Sequence, residues 1–151
     1  MRLNWKSGNF GLTNSYNHLY HLKSERIPGL QGYEAIGTPQ NPRWPALRWR
    51  NTLETRYALK PATLGLDVRS LAGFKVHDAE RNVFGKDKQQ PYSEADMHVA
   101  LNFDQIDWLV GVKNVLDSYP RDKDAEFRGE VYGNSIDVVG RRYFSTVSYT
   151  F

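Results

Sequence analysis

The segment GRRYFSTVSYTF, residues 140–151, alternates between two kinds of side chain. The first set is mostly aromatic or apolar: Tyr143, Ser145, Val147, Tyr149 and Phe151. The second set is mostly polar: Arg142, Phe144, Thr146, Ser148 and Thr150. A period of two is the pattern of a β-strand that has one apolar face and one polar face. The segment therefore predicts a closing strand that runs to a terminal aromatic residue.

The same alternation runs through most of the preceding chain. It predicts a short strand over residues 1–5 and full strands over residues 10–22, 46–59, 62–76, 92–103 and 107–117. Residues 23–45 are rich in proline and glycine, and because proline cannot donate to a strand ladder, this segment is predicted to be a loop. Two further loops are predicted over residues 77–91 and 118–139.

Tight turns and long loops alternate strictly between the predicted strands. The turns are predicted at residues 6–9, 60–61 and 104–106, and one of the three long loops follows each of the strand pairs. Turns at one rim and long loops at the other are typical of a transmembrane β-barrel. Strands of about ten residues also fit the span of a tilted membrane strand. The pattern predicts an all-β, antiparallel up-and-down meander.

The composition limits the class of protein. The chain has 151 residues, 40% hydrophobic and 25% charged, which fits one domain over residues 1–151. A formal net charge of +3 is too small and too scattered to indicate nucleic-acid binding. The absence of cysteine excludes disulfides and thiolate metal sites. No run of about eighteen apolar residues occurs, so no transmembrane helix is predicted.

Three motifs together resemble the carboxy-terminal part of TonB-dependent outer-membrane receptors. VGVKNVLDSYP, residues 110–120, resembles the penultimate strand of that family, and GRRYFSTVSYTF resembles its closing strand. NPRWPALRWRNTLETRYAL, residues 41–59, resembles the entry into an earlier descending strand. The resemblance implies the last seven or so strands of a barrel of about 22 strands, with periplasmic turns and extracellular loops. It also implies the outer membrane of a Gram-negative cell.

The resemblance carries expectations about partners. Outer-membrane lipid would surround the strands, and Tyr149 and Phe151 would be the signal that the barrel-assembly machinery reads. The parent receptor would take up a scarce nutrient such as a ferric siderophore, driven by the TonB system through a plug domain. No secretory leader, TonB box or plug is visible in the sequence. We therefore expect a fragment that lacks the plug and the earlier strands and transports nothing alone.

The candidate site residues fall into two groups. The residues expected to face a barrel lumen are Arg48, Arg50, Glu54, Arg56, Asp67, Arg69, Asp96, His98 and Lys113. The loop residues expected to contact a ligand at the extracellular mouth are Tyr33, Phe84, Tyr119, Phe127 and Tyr132. No catalytic constellation stands out, so no enzyme activity and no cofactor are predicted. The four histidines are dispersed, and no metal site is predicted.

Two alternatives stay open at this point. One is a small outer-membrane barrel of another type, completed by oligomerisation. The other is a soluble β-barrel or sandwich that binds an apolar ligand in its interior. Solubility without detergent would favour the soluble protein, because an outward stripe of large apolar side chains should aggregate in water.

Overall fold

Six long strands form the body of the protein. The computed structural model describes residues 8–25, 28–29, 31–37, 46–75, 88–118 and 139–151. The long strands are β1 (Asn9–His18), β4 (Trp49–Leu59), β5 (Ala62–Leu71), β8 (Tyr92–Phe103), β9 (Ile106–Lys113) and β10 (Arg142–Tyr149). They form one antiparallel sheet in the order β1-β4-β5-β8-β9-β10. The described residues contain no helix, and the predicted all-β meander is confirmed.

The strands end at two opposite edges of the sheet. One edge carries the tight turns and the other carries the long connections, as the connection lengths predict. At the turn edge, Lys60 and Pro61 join β4 to β5, and Asp104 and Gln105 join β8 to β9. The first of these turns contacts the end of β8, since the Asn102 amide donates to the Pro61 carbonyl at 2.9 Å. The last residue, Phe151, also lies at this edge, because Tyr149 pairs with Ile106. The three long connections leave from the opposite edge, called the loop edge below.

Several strand ends differ from the predicted ones. β1 ends at His18 rather than at residue 22, and β4 begins at Trp49 rather than at residue 46. β5 ends at Leu71, and β9 covers Ile106–Lys113 instead of residues 107–117. The pattern of alternating side chains continued past each of these points, but pairing with a neighbouring strand did not. The predicted strand at residues 1–5 lies outside the described residues.

The loops are more ordered than predicted. β2 (Lys23–Ser24) pairs with β3 (Tyr33–Glu34), and β6 (Phe74–Lys75) pairs with β7 (Lys88–Gln89). A parallel bridge joins Ile36 to Ala46. The prediction that residues 23–45 and 77–91 contain only loop was therefore wrong. The proline and glycine content limited the length of the pairing but did not prevent it.

Buried apolar side chains gather near the loop edge. Leu47 and Phe74 form a small cluster, 6% and 5% exposed, with Leu71 packed against it. Ala35, Ile36, Ala72, Tyr92 and Ala95 are also buried. No second layer covers either face of the sheet within the described residues, so the long strands have no enclosed core there. The described part of the chain also contains no helix long and apolar enough to cross a membrane.

Candidate functional site

The sheet has one polar face, defined by register. Antiparallel pairing places directly opposed residues on the same face. Arg56 opposes Gly65, which opposes His98, while Glu54 opposes Asp67, which opposes Asp96. The candidate lumen residues that share this face are Arg50, Glu54, Arg56, Asp67, Arg69, Asp96, His98 and Lys113. Arg48 lies at an exposed bend before β4, outside the ladder. That these residues face a lumen stays a prediction.

Ion pairs cross the polar face between neighbouring strands. Arg56 binds Asp67 through both carboxylate oxygens, at 2.5 Å and 3.2 Å. Arg69 bridges two carboxylates of β8: it contacts Glu94 and lies 3.3 Å from Asp96. These pairs join β4 to β5 and β5 to β8. The charges on this face therefore compensate one another locally.

Glycines and large side chains alternate along one row of the polar face. The row runs Gly11, Arg56, Gly65, His98, Gly111, Phe144 from β1 to β10. A Cβ atom added to Gly65 would overlap the His98 imidazole, and one added to Gly111 would lie 2.6 Å from the Phe144 ring. The rings of His98 and Phe144 therefore lie over the backbone of the neighbouring strand, whereas no atom lies within 4 Å of a Cβ atom added to Gly11. Such aromatic–glycine packing pins strand register.

Asn114 organises the corner where β9 ends. Its backbone has φ +50°, its side chain is 1% exposed, and its amide N–H donates to Asp96 Oδ1 at 2.8 Å. Its side chain both donates to the Ser118 carbonyl, at 2.8 Å, and accepts from the Ser118 amide, at 2.9 Å. Tyr92 contacts both Glu94 and the Ser118 carbonyl. Asn114 thus ties the start of the last long connection to the ion pairs of the polar face.

Sequence reasoning missed part of this network. Glu94 lies two residues before Asp96 in β8 and therefore on the same face of the sheet. The predicted lumen set does not include Glu94, although this spacing could have identified it. Asn114 belongs to the KNVLD stretch of the quoted motif, and asparagine is among the few residues that tolerate positive φ. That preference is a signal for a structural corner. Nothing in the sequence indicated that Tyr92 and Ser118 meet there.

Glu34 holds the beginning and the middle of the first long connection together. Its Oε1 accepts from the Leu22 amide at 2.9 Å and from the Ile36 amide at 3.4 Å, and its Oε2 lies 3.1 Å from His21 Nδ1. The pKa of Glu34 is lowered to about 2. The hydrogen bond from the Leu22 amide is the largest cause, and the hydrogen bond from His21 is the second largest. The carboxylate is therefore charged at all physiological pH values.

The opposite face is apolar and largely uncovered. Its large side chains, with exposed fractions of about one half or more, are Phe10, Leu12, Tyr16, Leu64, Met97, Phe103, Tyr143, Val147 and Tyr149. Exposure is highest at the outer strands, with 66% for Phe10 and 76% for Tyr143. Scattered exposed apolar residues are normal, but a continuous apolar face marks a contact with protein, ligand or membrane.

A groove of about 640 Å³ lies across this apolar face. Its lining side chains come from all six long strands and include Phe10, Tyr57, Leu64, Met97, Val110 and Tyr143. The groove is open to its surroundings along the sheet. Most of the residues that line the groove lie on the apolar face of their strand. The groove can therefore contact an apolar group but offers it few hydrogen-bond partners.

The closing strand is anchored at the turn edge by polar contacts of aromatic side chains. Trp108 Nε1 donates to Ser145 Oγ at 2.9 Å, and Tyr149 Oη donates to Gln105 Oε1 at 2.8 Å. The Thr150 amide donates to the Gln105 carbonyl at 3.0 Å. The ring of Phe151 packs edge-on against Tyr149 at 5.1 Å and is fully exposed. That Tyr149 and Phe151 form an assembly signal stays a prediction.

Of the loop residues predicted as ligand contacts, the structure describes only the backbone of Tyr33, so the ligand site stays a prediction. The backbone of Tyr33 belongs to β3. Phe84, Tyr119, Phe127 and Tyr132 lie outside the described residues. Among the described residues, no group of three or more potential metal ligands converges.

Comparison with protein-family models, with curated proteins and with solved structures finds no match.

Proposed function

We propose that the chain supplies the closing strands of an outer-membrane β-barrel of the TonB-dependent receptor type. The observation that carries this proposal is the continuous, uncovered apolar face opposite a polar face of paired charges. Lipid covers such a face without a second protein layer, while the polar face meets water or a plug. Within the parent receptor the strands would form part of the wall through which a scarce nutrient, such as a ferric siderophore, passes.

The height of the apolar face supports a membrane placement. Along β8 the apolar parity runs from Phe103 at the turn edge to Ala95, and the next residue of that parity is Ser93. At about 3.3 Å per residue this stretch is roughly 26 Å long, or roughly 20 Å along the membrane normal at a tilt of about 40°. Outer-membrane barrels have an apolar band about 25 Å tall.

The margin of the apolar band is polar on neighbouring strands as well. Ser93 opposes Ser70, and the two hydroxyls are hydrogen bonded at 2.9 Å. Ser70 in turn opposes Asn51 on β4, and Asn51 opposes Tyr16 on β1. The face therefore changes from apolar to polar along one row across β4, β5 and β8, and this row ends at the aromatic Tyr16 on β1. A common row is expected where lipid tails give way to headgroups.

The stagger of the strands also supports a barrel wall. One row of paired residues runs from Asn9 on β1 to Thr146 on β10. From this row β1 extends to His18 toward the loop edge, but β10 extends only to Arg142. The strand centres shift by about four residues over five steps between strands, which corresponds to a tilt of about 30°. Barrel closure requires such a tilt, typically about 35–45°.

Insertion into lipid tests this proposal. The chain, refolded into vesicles, should float with them, resist alkaline extraction and show cleavage only within its long connections when protease is added outside. A chain that stays in the aqueous phase and folds there, with the tryptophan emission of buried indoles, would overturn the membrane placement. If the chain inserts into lipid, joining it to the upstream strands and plug of its parent would test transport.

A second candidate function is a soluble barrel or sandwich that binds an apolar ligand. The groove of about 640 Å³ across the apolar face favours it, because the groove would become an interior site if the sheet curled around that face. Folding in water with saturable binding of a fatty acid would support this function. The membrane proposal would then fail at the same time.

A further inference from the structure

Backbone hydrogen bonds join two of the long connections at the loop edge. The Gly37 amide donates to the Ala46 carbonyl at 2.7 Å, and the Lys75 amide donates to the Gly37 carbonyl at 2.6 Å. Gly37 belongs to the first connection, and Lys75 belongs to β6 in the second. The first connection is therefore held both by the chain just before β4 and by the chain just after β5.

A cavity of about 370 Å³ lies at this junction. Its described lining contains two cationic residues, Arg48 and Lys75, and no acidic residue. Both cationic side chains are exposed, whereas Ile36 and Phe74, which also line the cavity, are buried. The cavity, called the cationic cavity below, therefore combines an excess of positive charge with a packed apolar wall.

The two cations have no counter-charge in the part of the chain that the structure describes. All ion pairs found there involve other basic residues. Glu34 precedes the lining by only two residues, but its carboxylate accepts from the Leu22 and Ile36 amides and is not part of the lining. Two cations around one cavity repel each other, and a bound anion would offset that repulsion.

The pairing of β6 with β7 adds to the excess of positive charge. Lys75 and Lys88 occupy directly opposed positions of this ladder. Like charges at opposed positions destabilise an antiparallel pair. An anion bound beside Lys75 would offset this cost, so binding of the anion and pairing of β6 with β7 should favour each other.

We propose that the cationic cavity binds a phosphate monoester. The planar guanidinium group of arginine can form two parallel hydrogen bonds with a phosphate, and the lysine ammonium group adds a compact charge. A phosphate monoester carries a charge of about −1.5 to −2 at neutral pH, which matches two cations better than the single charge of a carboxylate does. The carbon part of the ester would contact the apolar wall.

This inference goes beyond the proposed function and does not rest on the placement of the apolar face in lipid. The residues of the cationic cavity lie at the loop edge, beyond the ends of the long strands β4 and β5. Two sources would supply the same chemistry, a soluble phosphate ester and a lipid headgroup that ends in a phosphate monoester.

Titration of the chain with glycerol 3-phosphate in uncharged maltoside micelles, followed by the phosphorus NMR line width, tests the site. Binding should saturate. Arg48→Gln and Lys75→Gln should each weaken it roughly tenfold or more, as expected for the loss of a hydrogen bond between charged groups. Lys75→Arg keeps the charge and should keep most of the binding, which separates a lost charge from a disturbed fold.

Two glutamine variants are matched controls. Arg50 and Lys60 are exposed cations that do not line the cationic cavity. Arg50→Gln and Lys60→Gln remove the same net charge as the test variants and should bind glycerol 3-phosphate as tightly as the native chain. Equal weakening by all four glutamine variants would indicate general attraction to a positive surface and would overturn the proposal.

Three other results would also overturn it. Binding that does not saturate would exclude a defined site, and acetate that binds as tightly as glycerol 3-phosphate would exclude selection of a phosphate. The connection between β6 and β7 contains Asp78, Glu80 and Asp87. Binding that appears only after these three residues are replaced by amides would show that the chain's own carboxylates occupy the cavity.

Vesicles of two compositions identify the source of the phosphate. Phosphatidylglycerol and phosphatidic acid are both anionic, but only phosphatidic acid carries a phosphate monoester. If glycerol 3-phosphate binds to chains in phosphatidylglycerol vesicles but not to chains in phosphatidic acid vesicles, the lipid headgroup occupies the site. Equal binding in both assigns the site to a soluble ester. A chain that does not float with vesicles but binds glycerol 3-phosphate in water would overturn the membrane placement and support the site.

Discussion

Replacing Leu64 by lysine tests the position of the apolar face in lipid. Leu64 pairs with Val99, which lies midway between Ala95 and Phe103, so Leu64 lies at the centre of the apolar band. A lysine at the midplane of a membrane barrel costs about 2–4 kcal/mol, whereas near the interface it costs about 0–1 kcal/mol. Leu64→Lys should therefore lower the folding equilibrium constant in bilayers by roughly 30- to 1000-fold.

Two lysine controls make this result specific for depth and face. Ser70→Lys lies on the same face of the same strand but about 20 Å along it, at the polar margin, and should cost at most about 1 kcal/mol. Thr13→Lys lies on the polar face opposite Glu54 and should be close to neutral. Urea titration of vesicle-inserted chains, followed by tryptophan emission, measures all three. Equal costs for Leu64→Lys and Thr13→Lys would refute the placement of this face in lipid.

Three further predictions concern the polar face and the loop edge. Asn114→Ala should destabilise the sheet by about 2–4 kcal/mol in the same titration, because it leaves Ser118 without its two side-chain hydrogen bonds and also puts alanine at positive φ. Asn114→Gly loses the same hydrogen bonds but adopts positive φ without strain, so it should cost less, and equal costs would argue against backbone strain. Gly65→Ala should lower the free energy of unfolding by about 1–3 kcal/mol, because the added methyl group overlaps the His98 ring. The double variant Gly65→Ala/His98→Ala should recover most of this loss, and costs of the two substitutions that simply add would contradict the overlap. Because the pKa of Glu34 falls from its ordinary value of 4.5 to about 2 in the folded chain, its stabilising contribution should be complete above pH 4.5 and vanish as the pH falls toward 2. The protection factor of the Leu22 amide, which compares its exchange rate with that of an unprotected amide at the same pH, should fall across this window in the native chain and stay constant across it in Glu34→Gln.

Alternation predicted the strands well where the whole strand lies inside the sheet. β8 was predicted at residues 92–103 and is observed there, because β5 pairs with residues 92–101 and β9 pairs with residues 97–103, so that every residue has a partner on at least one side. The ends of β1 and β5 were predicted too far along the chain. Alternation continued in the sequence, but the neighbouring strand had ended or turned away, and a strand ends where its pairing partner ends.

Tertiary structure alone decided which charges meet. Alternation assigned Arg69 and Asp96 to one face, yet these residues are far apart in sequence, and their contact depends on the register of β5 with β8. The role of Glu94 as a second partner of Arg69 follows from the same register. A shift of one residue would move each side chain to the other face, so register had to be known before any pair could be named.

The sequence by itself determined the class of fold, the two faces and the alternation of short and long connections. These depend on the period of side chains along a strand and on local turn residues, which are properties of neighbouring positions. The structure decided the strand ends, the stagger, the packing of His98 on Gly65 and the corner at Asn114. Those features depend on distances between segments remote in sequence, which only the paired sheet fixes.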